Sequence, residues 1–109
     1  NSAKDFLKYV KEVESIIKAR EWPLETNYKK HYCSFKAGSF NAFGIHWIGS
    51  KTFAFFFKLS EHQAKNISID MTRYDNQWKQ ALYYIDPKET KTTDYLPLFE
   101  LSYKKLTGD

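Results

Sequence analysis

Apolar residues recur every three to four positions at the start of the chain, at Phe6, Val10, Val13 and Ile17, with Lys4, Lys8, Lys11 and Lys18 elsewhere on the wheel. This spacing predicts an amphipathic helix from Ser2 to about Glu21. Ser2, with Asp5 three positions on, is its expected N-terminal cap. Trp22-Pro23 is its expected stop, because the residue before a proline avoids the α region. Leu24 to Lys29 then reads as a connection.

Beyond this point the period drops to two. Between Tyr28 and Leu59 the chain carries ten aromatic side chains, most of them at alternate positions in runs separated by glycine-containing turns. That pattern predicts three consecutive antiparallel strands. In the first, His31, Cys33 and Phe35 alternate with Tyr32, Ser34 and Lys36 as far as the Ala37-Gly38-Ser39 turn. The second, Phe40 to Ile48, sets Phe40, Ala42, Gly44, His46 and Ile48 against Asn41, Phe43, Ile45 and Trp47, and Gly44 marks a bulge or a close approach by another group. The third, Thr52 to Leu59, places Phe53, Phe55, Phe57 and Leu59 on the core side and Ala54, Phe56 and Lys58 opposite. So much ring surface exceeds what a small core needs, and Phe56 in particular calls for a partner or a ligand.

Ser60 and Gln63 have the spacing of a capping box, which predicts a short helix. Its extent is left open, since Ile67, Ile69 and Met71 alternate as in an extended piece. Tyr74-Asp75-Asn76-Gln77 reads as a turn, Trp78 to Ile85 as a further strand stopped by Asp86-Pro87, and Lys88 to Thr93 as an exposed loop. Asp94 or Thr93 is expected to cap a last helix carrying Leu96, Phe99, Tyr103 and Leu106 on one face and ending at Gly108. The elements together predict a single α+β domain, an antiparallel sheet of about four or five strands with the N- and C-terminal helices packed on one face.

At 109 residues the chain has room for one domain with one core. It begins Asn1-Ser2-Ala3 without methionine, which reads as a domain excised from a longer protein. A single cysteine, Cys33, excludes an intrachain disulfide and suits a reducing, cytoplasmic setting. No apolar run approaches a membrane span and no charged-then-apolar leader is visible, so a soluble chain without membrane contact is expected. The formal charge of +4 favours acidic partners mildly, because the basic residues are almost all lysines, with only Arg20 and Arg73 carrying a planar fork.

Candidate chemistry is sparse. His31 and Cys33 would share a strand face with His46 across the sheet, but two ligands at i and i+2 do not make a metal site, and no metal or cofactor is expected. Cys33 in mid-strand reads as core rather than as a nucleophile activated by His31 or His46. The carboxylates are scattered, with Glu12 and Glu14 expected on the exposed side of the first helix, and no phosphate-cradling glycine loop is present. No catalytic residue is assigned.

The best functional candidate is the interleaved stretch Asn27-Tyr28-Lys29-Lys30-His31-Tyr32. Lysines neutralise phosphates while rings stack on bases, which points to nucleic acid as partner, with Lys29, Lys30, Lys36 and Lys51 as the cationic contacts and Tyr28, Tyr32 and Trp47 as the rings. A strand whose lysines simply face solvent while its tyrosines pack over a helix accounts for the same pattern. The alternative function is a protein-interaction or homodimerisation module using an aromatic sheet face around Phe43, Trp47 and Phe56, or docking onto other domains of a parent protein. A third is a small-molecule site centred on Cys33 and His46. Trp47, Phe56 and Trp78 are expected together on the face away from the helices.

The run Tyr28-Lys29-Lys30-His31-Tyr32-Cys33-Ser34-Phe35-Lys36, followed by Phe40 and the Phe53 to Leu59 strand, resembles a family of small bacterial domains labelled predicted transport proteins. The tail, with Trp78 and then Ser102-Tyr103, is similar to the MmcQ/YjbR family. The two resemblances together span nearly the whole chain. They imply an α/β fold of the double-wing type and association with DNA, and they supply no catalytic residue.

Overall fold

The computed structural model describes residues 1–108. The chain runs through α1 (Ser2–Ala19), β1 (Glu25–Tyr28), β2 (Tyr32–Ala37), β3 (Phe40–Trp47), β4 (Phe53–Phe57), α2 (Glu61–Lys65), β5 (Arg73–Asp75), β6 (Gln80–Tyr84) and α3 (Leu96–Thr107), the last preceded by a 3-10 turn at Thr92–Tyr95. The strands form one antiparallel sheet in the order β1-β2-β3-β4-β6-β5. α1 and α3 cover one face of it, as the sequence pattern requires.

The covered face is aromatic because β-strand alternation brings Phe35, Phe43, Phe53, Phe55, Phe57 and Tyr83 into one layer. Phe99 of α3 meets Phe43 and Phe57 edge-on at 4.8 and 4.9 Å, and Tyr9 of α1 meets Phe55 the same way at 6.0 Å. Edge-to-face geometry of this kind adds about 0.5–1.5 kcal/mol per pair beyond burial. Trp22 stacks on Tyr103 at 4.5 Å, so the link after α1 is fastened to α3.

Two strands lie where the sequence predicts a connection and a turn. β1 has no apolar alternation of its own, yet it pairs with β2 from Glu25↔Lys36 to Tyr28↔Cys33, and the Thr26 hydroxyl donates to Glu14 Oε2 at 2.7 Å. β5 is three residues long and exists through its ladder with β6. The sheet therefore has six strands rather than four or five. Conversely, Ile67, Ile69 and Met71 form no strand and instead pack partly buried against the core.

The helix ends differ from expectation in instructive ways. Asn1, not Ser2, caps α1, its Oδ1 accepting from the Lys4 amide at 3.1 Å. α1 closes with Trp22 N–H donating to the Ile17 carbonyl and Glu21 N–H to that of Lys18, both at 3.1 Å, which holds Glu21 in the left-handed region at φ 55°. The Ser60–Gln63 capping box of α2 forms as predicted, and Gly108 ends α3 in the left-handed conformation. Neither Thr93 nor Asp94 caps α3, whose N-cap is Tyr95 without a side-chain bond. Glu12 and Glu14 are half-buried rather than on an exposed side: Glu12 accepts from the Thr92 hydroxyl at 2.6 Å and Glu14 from Thr26. Together with Tyr9 Oη donating to the Thr90 carbonyl at 2.7 Å, these bonds tie both the edge strand and the 86–92 loop to α1.

Candidate functional site

Strand register decides what the other face of the sheet presents. Tyr32, His46, Ala54 and Tyr84 form one row across β2, β3, β4 and β6, and Asn27, Ser34, Gly44, Phe56, Leu82 and Arg73 form the next. A third row contains Lys36 opposite Asn41 and Gln80 opposite Asp75, with Lys58 immediately past β4 in the same phase. Ser34, Phe56, Gln80 and Leu82 are buried although the terminal helices lie on the opposite side. Tyr32 stands edge-on to Phe56 at 6.2 Å, and Arg73 Nε donates to Tyr84 Oη at 3.3 Å.

Between the rows lies a cavity of about 230 Å³. Tyr32 and His46, with nearly parallel rings 6.0 Å apart, flank one side, and Phe56 lies in the middle row. Asn41, Lys58 and Gln80 occupy the other side, with His31 and Trp78 completing the lining. Trp78 is 61% exposed and comes from the β5–β6 turn, which Asp75 organises by accepting from the Gln77 and Trp78 amides at 3.0 and 3.2 Å. Lys79 completes that turn in the left-handed region at φ 53°.

The polar groups of this cavity are unusual in being unspent. Buried polar groups are almost always hydrogen-bonded within a protein. His46 Nδ1 is buried without a partner among the described residues, and the Gln80 amide, on a side chain only 6% exposed, makes no hydrogen bond among them and keeps contact with solvent. Lys58 is the exception, its Nζ donating to the Trp78 carbonyl at 2.6 Å. Burial pushes the Lys58 ammonium below the ordinary lysine range, an effect that the Asp75 carboxylate opposes. Among the described residues no carboxylate lines the cavity.

The residues singled out from sequence divide between three places. Lys29 and Lys30 in the β1–β2 turn and Lys51 in the β3–β4 turn are exposed at one end of the sheet, next to Tyr32, since Trp47 N–H bonds the His31 carbonyl at that end. Lys36 lies on the open face at the far end of β2, half-buried. Tyr28 and Trp47 belong to the phase that faces the helices, and Trp47 stacks on Phe6 at 4.8 Å. Trp47 therefore does not share a face with Phe56 and Trp78, and Phe43, wholly buried under Phe99, is no part of an exposed surface.

Cys33 and His31 do not share a site either. Cys33 is wholly buried in the helix-covered core, while His31 borders the open-face cavity. Burial, helped by the Glu14 charge, pushes the Cys33 thiol up to about 12, which leaves almost no nucleophilic thiolate at neutral pH. Among the described residues no group of three or more His, Cys, Asp or Glu is placed to hold a metal ion, and no helix is long and apolar enough to cross a membrane.

Asn41, Lys58 and Gln80 are the functional candidates that sequence reasoning missed. Lys58 and Gln80 each follow the outward phase of their strands, so the signal was present, but only the β4–β6 pairing puts them beside each other. Comparison with protein-family models finds no match to this chain, and no curated protein or solved structure matches it.

Proposed function

We propose that this domain is a non-catalytic accessory module that associates with single-stranded nucleic acid across the open face of its sheet. The observation that carries the reading is the face itself: a sheet surface left free by the helices, bearing Tyr32 and Trp78 rings around a cavity that no carboxylate lines among the described residues, with Lys29, Lys30 and Lys51 at one end and Lys36 at the other. Rings on a sheet stack on bases while flanking cations follow the backbone, a division of labour common to single-strand binders. The DNA association implied by the resemblance to the MmcQ/YjbR family agrees with it. Lys29→Glu together with Lys30→Glu, titrated by fluorescence with labelled single- and double-stranded oligonucleotides at two salt concentrations, tests it. Salt-sensitive, micromolar binding to the single strand that the double variant abolishes is expected. Undiminished binding by the variant, or none by the unaltered protein at low salt, overturns the reading.

A second reading, a protein-interaction module, draws on one observation. Phe40 and Trp78 are 71% and 61% exposed and border a shared groove beside α3 with Lys58, Lys79 and Lys105. Salt-insensitive self-association that Phe40→Ser abolishes favours this one.

A further inference from the structure

We infer that the open-face cavity is a pocket for one unpaired nucleobase, held over Phe56 and recognised at its edge by the Gln80 amide and the His46 imidazole. The inference rests on the nucleic-acid reading and deepens it by naming the part of the strand that enters.

Size comes first. Pockets for whole small molecules run from roughly 300 to 1,000 Å³, and this one, at about 230 Å³, is smaller. It accommodates a single ring system and leaves the attached sugar and phosphate outside. The lining then selects the kind of ring. Tyr32 and Trp78 offer aromatic surface over a floor that Phe56, itself 2% exposed, helps form, which favours a flat π-system. Asn41 and Gln80 each present one carbonyl and one amino group, the pairing that matches the adjacent donor and acceptor on a base edge.

The polar satisfaction of the site is the independent observation. Gln80 is 6% exposed, and its amide makes no hydrogen bond among the described residues and stays open to solvent in the cavity, while His46 Nδ1 is enclosed without a partner among the described residues. Outside the cavity, Lys36 on the neighbouring register position and Lys79 beside Trp78 are cations available to the phosphates on either side.

The test compares the unaltered protein on two fluorescein-labelled oligomers of equal length at low salt, one mixed-sequence single strand and one made wholly of abasic sites. Loss of the bases is expected to weaken binding by about tenfold or more, the range set by stacking one base. Free nucleosides are expected to shift the Gln80 side-chain amide and the Trp78 indole resonances in NMR spectra. Gln80→Leu, checked for folding by its spectrum, is expected to lose discrimination among bases while the salt dependence stays unchanged. Equal affinity for the abasic oligomer overturns the pocket and leaves the phosphate-driven reading standing. Nucleoside binding without oligomer binding overturns the nucleic-acid reading and keeps the pocket. Binding of neither overturns both.

Discussion

Phe56 on β4 and Gly44 on β3 are register partners, and the phenyl ring lies so close over the glycine that a Cβ built there would come within 2.6 Å of two ring carbons and would overlap the Cys33 carbonyl oxygen on the other neighbouring strand. A side chain at position 44 is thus excluded from both sides, and the ring beside the open-face cavity owes its position to that missing atom. Gly44→Ala must displace the Phe56 ring and push against backbone, which is not free to give. A loss of about 3 kcal/mol in urea unfolding is expected, the upper part of the range for overpacking. An unchanged midpoint would show that the strands can separate at no cost.

Tyr83 offers the opposite experiment. Its ring is buried between Phe57 and Tyr95, edge-on to each at 5.5 and 5.8 Å, but its hydroxyl has no hydrogen-bond partner among the described residues. Tyr83→Phe keeps the ring contacts and removes the unmet group, so a gain of about 1 kcal/mol in thermal or chemical unfolding is expected. A loss instead would mean that the hydroxyl is engaged.

Alkaline pH should unfold the domain through its buried acids. Burial raises the Cys33 thiol from its ordinary 9.0 to about 12 and the Tyr83 phenol from 10.0 to about 12. Below the unfolded values both groups are protonated in either state and contribute no pH dependence. Above them the unfolded chain gives up protons that the folded one retains, so stability falls as pH rises between about 9 and 12. Cys33→Ala should flatten the lower part of that decline, and native Cys33 should alkylate at pH 8 only as fast as the domain opens. Rapid stoichiometric labelling under native conditions would contradict its placement in the core.

Trp78 separates binding from folding. With 61% of its surface exposed and its backbone held by Asp75, its side chain adds little to stability. Trp78→Ala is expected to change unfolding free energy by no more than about 0.5 kcal/mol while lowering affinity for single-stranded oligonucleotides several-fold. A large loss of stability would make it a structural residue instead.

The two periods in the chain, near 3.6 from Phe6 to Ile17 and two from Cys33 to Leu59, determined by themselves the first helix, the aromatic meander and the inward phase of Phe53, Phe55 and Phe57, because side-chain direction follows backbone repeat. The Ser60 capping box and the Gly108 stop were legible for the same reason: their partners lie within a few residues. β1 and β5 were not, since neither has an apolar alternation and each exists only through a ladder to a strand already in place and, for β1, a hydrogen bond to Glu14.

The candidate site divides along the same line. Exposed lysines in the turns at Lys29, Lys30 and Lys51 could be read from the chain, as could the outward phase of Phe56. Trp47 shares the alternation phase of Phe43 and Ile45, so it lies on the helix-covered face, and only the packing of α1 brings Phe6 against it there. Gln80, Lys58 and the β3 pair Asn41 and His46 come from three separate stretches and meet only when β3, β4 and β6 are paired in register. Composition and period therefore determined which residues face the core, while long-range strand pairing decided which of the outward polar side chains come together around one cavity.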